Sequence, residues 1–249
     1  LGATPLRGSL DDLDVLRTGA ESADGVLHMA FGGDFADPEP MTRRDRTAIE
    51  AIGRVLEGTG RPFVSTSGTL VMPAGRETTE QDAPDPDGVA SFRIPGESVV
   101  RLAPTVHGPG DHGFIGMLVA TARKTGVSAY VGDGTNRWPA VHRLDAATLF
   151  RLALEKASAG SALHGAAESV TLRGVAESIA DALGLPAVPL SPVDAAGHFA
   201  SPFMAMLYGM DAPVSASRTR ALLDWSPVHP TLLEDLAHGD YFATPAAVS

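Results

Sequence analysis

The chain has 249 residues, 44% hydrophobic and 20% charged, with a formal net charge of −11 and no cysteine. That length suits one large α/β domain, or one with a small appendage, and the missing thiols exclude disulfides, thiolate nucleophiles and cysteine-ligated zinc. The acidic balance argues against a nucleic-acid or anionic-membrane surface, both of which need clustered cations.

In chain order, short β-type runs alternate with amphipathic stretches, the pattern of a doubly wound parallel sheet. The expected strands are Pro5–Arg7, Gly25–Met29, Phe63–Ser67, Ser98–Leu102 and Ser128–Val131. Between them, Leu10–Ala20, Thr42–Gly58 and Phe114–Thr125 carry apolar residues at helical spacing. Asp145–Lys156, with Asp145 as its expected N-cap, and Leu172–Leu183 are two further helices. Beyond Gly184 prolines punctuate the chain, so residues 181–249 read as a small, irregular lobe after a core of residues 1–180. No apolar run approaches the ~18 residues that span a bilayer, and no signal pattern opens the given sequence; a cytoplasmic location is expected.

Two features are incomplete for such a sheet. No glycine-rich strand–turn–helix precedes Pro5–Arg7. The crossover from Phe63–Ser67 to Ser98–Leu102 holds prolines at 73, 84, 86 and 95 and no helical period, whereas parallel strands normally need a crossover helix. Residues are therefore expected to be missing before Leu1 and between Glu97 and Ser98.

Gly108-Pro109-Gly110-Asp111-His112-Gly113 matches Gly-x-Gly-x-x-Gly, with Asp133 twenty residues on. On spacing alone this is a dinucleotide-binding turn. Against that, Ala103–His107 intervene after the expected strand, and Pro109 removes a backbone N–H from a loop that should supply them.

Three stretches carry a resemblance: Val26-Leu27-His28-Met29-Ala30, Phe63-Val64-Ser65-Thr66-Ser67-Gly68, and Arg101-Leu102-Ala103-Pro104-Thr105-Val106-His107-Gly108-Pro109-Gly110. They resemble the NAD-dependent epimerase/dehydratase branch of the extended short-chain dehydrogenases, from about Leu6 to Leu236. The resemblance implies a Rossmann-type core with a small C-terminal substrate lobe, NAD or NADP as cofactor, and a small carbonyl, alcohol or sugar-like substrate. It also moves the glycine loop to the substrate side, with His107 in the family's tyrosine slot. We adopt that reading of the loop.

Carried over by position, the resemblance implies cofactor contacts at Ser9, Leu10, Met29, Ala30, Phe31, Thr66, Pro104 and Val106. His28 is read either as a hydrogen-bonded strand-end residue or as a cofactor contact through its backbone. The catalytic Ser/Thr slot falls on Gly68, which leaves Ser67 or Thr69 to supply a hydroxyl; the bland alternative is that Thr66 and Ser67 cap the strand. Substrate contacts fall on His107, Arg137, Trp138 and His142, with Trp138 equally readable as a packing anchor. The closing stretch Leu223-Asp224-Trp225-Ser226-Pro227 is similar to the family's structural end.

The family's Tyr-x-x-x-Lys dyad has no counterpart, because Tyr130, Tyr208 and Tyr241 are followed four residues on by Gly134, Ala212 and Pro245. At matching spacing stand Arg93 and Glu97. An arginine stays protonated and cannot pass the proton. A glutamate could, if burial raised its pKa; the alternative is an i,i+4 ion pair. The candidate catalytic set is thus Ser67, Thr69, Glu97 and Arg93. The histidines form no metal motif, so no metal is expected. The expected partners are a small-molecule substrate, with no nucleic acid and no membrane, and homodimer formation is left open. A non-catalytic dinucleotide- or partner-binding sensor is the alternative function.

Overall fold

The computed structural model describes residues 2–32, 38–88, 91 and 99–242. Arg93, Glu97 and the junction at residues 97–98 lie outside them, as does most of residues 89–98.

Four parallel strands form the main sheet in the order β1–β2–β3–β7: β1 (Val26–His28), β2 (Phe63–Gly68), β3 (Val99–Leu102) and β7 (Ala162–Gly165). Alternation along the strands sends successive side chains to opposite faces. Val26 and Phe63 meet Leu16, Ala20, Ile52, Val55 and Leu56 of α1 (Leu13–Glu21) and α2 (Pro38–Leu56). Their neighbours Leu27 and Val64, with Val100 and Leu163, meet Ala146, Leu149, Phe150 and Ala153 of α4 (Arg143–Lys156). Helices α1 and α2 thus cover the start of β1 and β2 on one face, and α4 covers the other.

A second sheet continues from the end of β3. Its strands are β4 (Thr105–His107), β6 (Arg137–His142) and β8 (Glu168–Thr171), with β4 parallel and β8 antiparallel to β6. A third, two-stranded parallel sheet joins β5 (Ser128–Val131) to β9 (Ala187–Leu190). The helices α3 (Phe114–Thr125) and α5 (Leu172–Leu183) have the expected bounds, and a boundary at residue 180 falls within α5. One cluster unites Ile115, Trp138, Val175 and Ile179 with Ala195, Leu207, Leu232 and Leu236 from the C-terminal stretch.

Several expectations are corrected. Pro5–Arg7 is not a strand: it has no ladder partner, and Leu6 is 62% exposed. A lone extended segment without a neighbour has no hydrogen bonds to hold it. Strand β4 leads straight into the glycine loop, so the residues after Leu102 do not separate that loop from a strand. The cap of α4 is His142, whose Nδ1 accepts the Leu144 N–H at 3.2 Å, because the Asp145 carboxylate is engaged elsewhere.

The C-terminal stretch is not irregular either. It contains α6 (Pro192–His198), α7 (Pro202–Gly209), α8 (Ser217–Leu223) and α9 (Leu232–His238) besides β9. The prolines at 192 and 202 open helices behind the capping hydroxyls of Ser191 and Ser201. Proline at a first helical position forfeits only an N–H that has no partner there.

The crossover after β2 dispenses with a helix over its described part. A single 3-10 turn at Thr69–Val71 is followed by extended chain that pairs with the C-terminal stretch. Gly75 N–H donates to Asp211 O, Thr78 N–H to Pro213 O and Ser215 N–H to Thr78 O. Its backbone groups are satisfied by a distant segment, which short-range periodicity cannot reveal.

Gly134 lies in the turn between β5 and β6, at φ +69°. A Cβ there would stand 2.5 Å from Tyr130 Cδ2 and 2.6 Å from Arg173 Cβ. Gly134→Ala combines left-handed strain of about 1–2 kcal/mol with overpacking of about 1–3 kcal/mol. We expect its urea midpoint to fall clearly below wild type; an unchanged midpoint would refute the close approach.

Candidate functional site

A cleft of about 650 Å3 runs along the outer edge of β1, walled by α1 and the loop before it. Ser9, Leu10, Met29 and Ala30 line it together with Gly8, Leu16, Gly19, Val26 and Ile52. Four of the cofactor candidates thus converge on one concave, mostly apolar surface. At its end the His28 ring is buried and its Nε2 lies 2.6 Å from Asp45 Oδ1 of α2. The ring therefore ties strand to helix, and His28, Met29 and Ala30 all line the cleft. Thr66 stands one strand away, its hydroxyl donating to the His28 carbonyl at 2.8 Å. Phe31 is half-buried beyond Ala30, and neither Pro104 nor Val106 lines the cleft. Val106 packs against the α4 side of the core.

Ser67 and Thr69 close the C-terminal end of β2, both within the protein. Ser67 pairs in register with Arg101 of β3, which pairs in turn with His164 of β7. These three share the sheet face opposite α4 with the helix-free crossover. The crossover inserts Glu80, whose Oε1 accepts the Thr219 N–H at 2.7 Å and the Thr219 hydroxyl at 2.6 Å. Thr219 Oγ1 accepts the His164 N–H at 2.8 Å. The His164 ring lies 3.4 Å from Arg101 Nη1 and 2.9 Å from Ser215 O. Burial holds the His164 pKa below the ordinary imidazole value and lowers that of Arg101, with Glu80 opposing both shifts. Thr69 Oγ1, Thr78 Oγ1, Glu80 Oε2 and Arg101 Nε are all buried here without a protein hydrogen-bond partner.

The substrate candidates divide. His107 and His142 are register partners at the ends of β4 and β6 and touch edge to face, with ring centroids 5.4 Å apart. Trp138 is enclosed, donates Nε1–H to Met210 O at 3.1 Å and stacks on Tyr208. Arg137 is exposed and chelated by Asp211 through Nε and Nη2, each at 3.2 Å.

In the glycine loop, Gly110 N–H donates to the Asp240 carboxylate and Gly113 N–H to Asp111 Oδ1 at 2.6 Å. The Tyr241 hydroxyl donates to Asp111 Oδ2 at 2.7 Å. Carboxylates thus occupy amides that a pyrophosphate-binding turn would leave free. The loop also belongs to the second sheet, away from β1, so the dinucleotide-turn reading finds no support in the geometry.

Sequence reasoning missed the partners of these groups. His107 Nδ1 lies 2.6 Å from Asp235 Oδ2 of α9. Asp145 accepts Val228 N–H and His229 N–H, each at 3.1 Å, and lies 2.8 Å from His229 Nδ1. His142, Asp145 and His229 bring ligand-type atoms within 4.8 Å of one another. They do not make a metal cage. The His142 and His229 rings are parallel within 9° at 4.8 Å, so their in-plane lone pairs cannot converge on one ion, and His229 Nδ1 is already spent on Asp145. The only local signals for these partners are the Thr231-x-x-Glu234 capping box that opens α9 and the Pro-flanked Val228-His229 step.

The fold is similar to that of several solved nucleotide-sugar dehydratases and epimerases. The dTDP-glucose 4,6-dehydratase DesIV of Streptomyces venezuelae, solved with NAD and TYD, superposes with a TM-score of 0.72 at 16% identity, covering 92% of this chain and 76% of that one. The UDP-glucose 4-epimerase of Thermotoga maritima, solved with UDP-glucose, gives 0.71 at 16% identity over 94% and 82%. The Bacillus anthracis dTDP-glucose 4,6-dehydratase, in complex with NAD, gives 0.70 at 16% over 93% and 76%. No protein-family model matches the chain. By sequence, the chain belongs to the family of two yeast proteins. It is 43% identical over 254 residues to the uncharacterized protein C2A9.02 of Schizosaccharomyces pombe, across 97% of this chain and 85% of that one. It is 39% identical over 244 residues to the uncharacterized protein YLL056C of Saccharomyces cerevisiae, across 93% and 81%. Among the described residues no helix is long and apolar enough to cross a membrane.

Proposed function

We propose that this chain binds NAD or NADP along the β1 cleft and acts, as an oxidoreductase or epimerase, on a small carbonyl, alcohol or sugar-like substrate. The carrying observation is the convergence of Ser9, Leu10, Met29 and Ala30 on one cleft at the edge of a parallel sheet. Support comes from the fold shared with enzymes solved with NAD. Hydride transfer is the cofactor's own chemistry. The chain's part is to orient the partners and to supply or accept a proton. Ser67 or Thr69 would hydrogen-bond the substrate oxygen, with Arg93 and Glu97 completing the proposed catalytic set and His107, Arg137, Trp138 and His142 the proposed substrate side.

The test is titration of the full-length gene product with NADH and NADPH, followed by turnover over a panel of carbonyls and alcohols. Binding with turnover is expected; failure of both nucleotides to bind overturns the proposal. Thr69→Val is nearly isosteric and removes a hydroxyl that has no protein partner, so the fold should tolerate it. If that hydroxyl serves the substrate, kcat should drop by about 10²–10³-fold with nucleotide affinity unchanged. Undiminished kcat would remove Thr69 from the catalytic set. A second reading, a non-catalytic nucleotide or partner sensor, is favoured by the sequence's lack of a Tyr-x-x-x-Lys pair; nucleotide binding without turnover across the panel would support it.

A further inference from the structure

The imidazole of His142 has an unusual position. It ends β6, caps α4, and is almost fully buried. Its Nδ1 accepts the Leu144 N–H, so that nitrogen must be unprotonated for the cap to form. Its face lies flat on His229, and it meets the His107 ring nearly at right angles. Around it, α9 contributes Asp235, whose Oδ2 is 3.9 Å from His142 Nε2. From α4 come Asp145, which is bonded to His229, and Arg143, whose guanidinium donates to Pro109 O. Three imidazoles and two carboxylates thereby pin residues 226–238 against the ends of β4 and β6 and the start of α4.

We propose that His142 is a proton-binding switch for this clasp: protonation of its ring releases the cap of α4 and loosens the docking of residues 226–238. A proton on Nδ1 would set one N–H donor against another, that of Leu144. It would also place a cation at a helix N-terminus, where the macrodipole opposes it, and beside the stacked His229 ring. Asp235 and Asp145 pull the other way. Burial, the largest influence, wins and holds the His142 pKa below the ordinary imidazole value, with His107 and His229 adding to it. The sign follows. A base whose pKa is depressed on folding contributes stability that is fully present above its unfolded value of about 6.5 and is lost as pH falls below it.

Hydrogen exchange of the full-length protein, corrected for intrinsic rates, at about pH 7.5 and about pH 5.5 brackets ordinary imidazole titration. On acidification, protection of residue 144 and of residues 226–238 should fall several-fold while β2 and β3 hold. His142→Asn keeps a capping acceptor without a titrating ring, so it should abolish that difference. Equal acid loss in His142→Asn, or no loss in wild type, overturns the switch. A readout free of any variant is NMR of the wild type: the Leu144 amide shift must titrate together with the His142 ring, and a flat Leu144 amide refutes the mechanism.

Discussion

Trp225→Ala is expected to be the most damaging single truncation here, lowering unfolding free energy by about 3–5 kcal/mol. The indole is 2% exposed and packs in the cluster that joins Val100, Leu149 and Leu163 to Leu223. Its Nε1–H donates to the Asp145 carbonyl at 3.1 Å, and the Arg220 guanidinium lies over its ring at 5.9 Å from the centroid. Alanine would empty a cavity under α4 that the rigid sheet cannot close, and would forfeit the indole's hydrogen bond to that carbonyl. Trp225→Phe retains most of the ring and should lose only about 1–2 kcal/mol, mostly from the missing hydrogen bond and the unfilled volume. Equilibrium urea unfolding with a constant slope would measure both. A Trp225→Ala protein within about 1 kcal/mol of wild type, far below the range for buried aromatics, would show that the indole is not the anchor.

Asp145→Ala comes next. The carboxylate is 2% exposed and gathers the amides of Val228 and His229 and the His229 ring. Burial pushes its pKa up, but those hydrogen bonds outweigh burial and leave it below the usual carboxylate value. Alanine would leave the two amides and the ring without their acceptor, a loss of about 2–4 kcal/mol after allowing for the partial exposure of His229. A depressed carboxylate pKa stabilises the fold above its unfolded value and ceases to do so as pH falls through the folded one. The deficit of Asp145→Ala should therefore be full at neutral pH and shrink in acid. Asp145→Asn keeps one oxygen but turns an NH2 toward the remaining donors, so an intermediate loss is expected. A deficit independent of pH would mean that the carboxylate acts by packing alone. Trp225 and Asp145 share the Asp145 backbone, so the two losses should not add.

Much of the fold is legible along the chain. The apolar periodicities of Phe114–Thr125 and Leu172–Leu183 locate α3 and α5 because local amphipathicity and their capping glycines act within a single helix. The short apolar openings at Val26-Leu27, Phe63-Val64 and Val99-Val100 locate the main sheet because each begins a strand whose first residues are buried or half-buried between helices or neighbouring strands. The proposed cofactor wall at Ser9, Leu10, Met29 and Ala30 is implied by the family resemblance; its convergence on one cleft is a property of packing. Prolines misled most. Pro192 and Pro202 look like breaks, yet each sits at the one helical position where its missing N–H costs nothing.

The amino-acid order alone determined the alternation of strands and helices, the absence of thiol chemistry and the lack of a tyrosine–lysine pair. These depend on residue identity and on spacings of a few positions. Which groups meet was decided by the tertiary structure: Glu80 with Thr219, His107 with Asp235, and Asp145 with His229. Those partners lie 139, 128 and 84 residues apart. Each pairing exists because a buried polar group must find a hydrogen-bond partner wherever the chain supplies one, and nothing in the local sequence records where that will be.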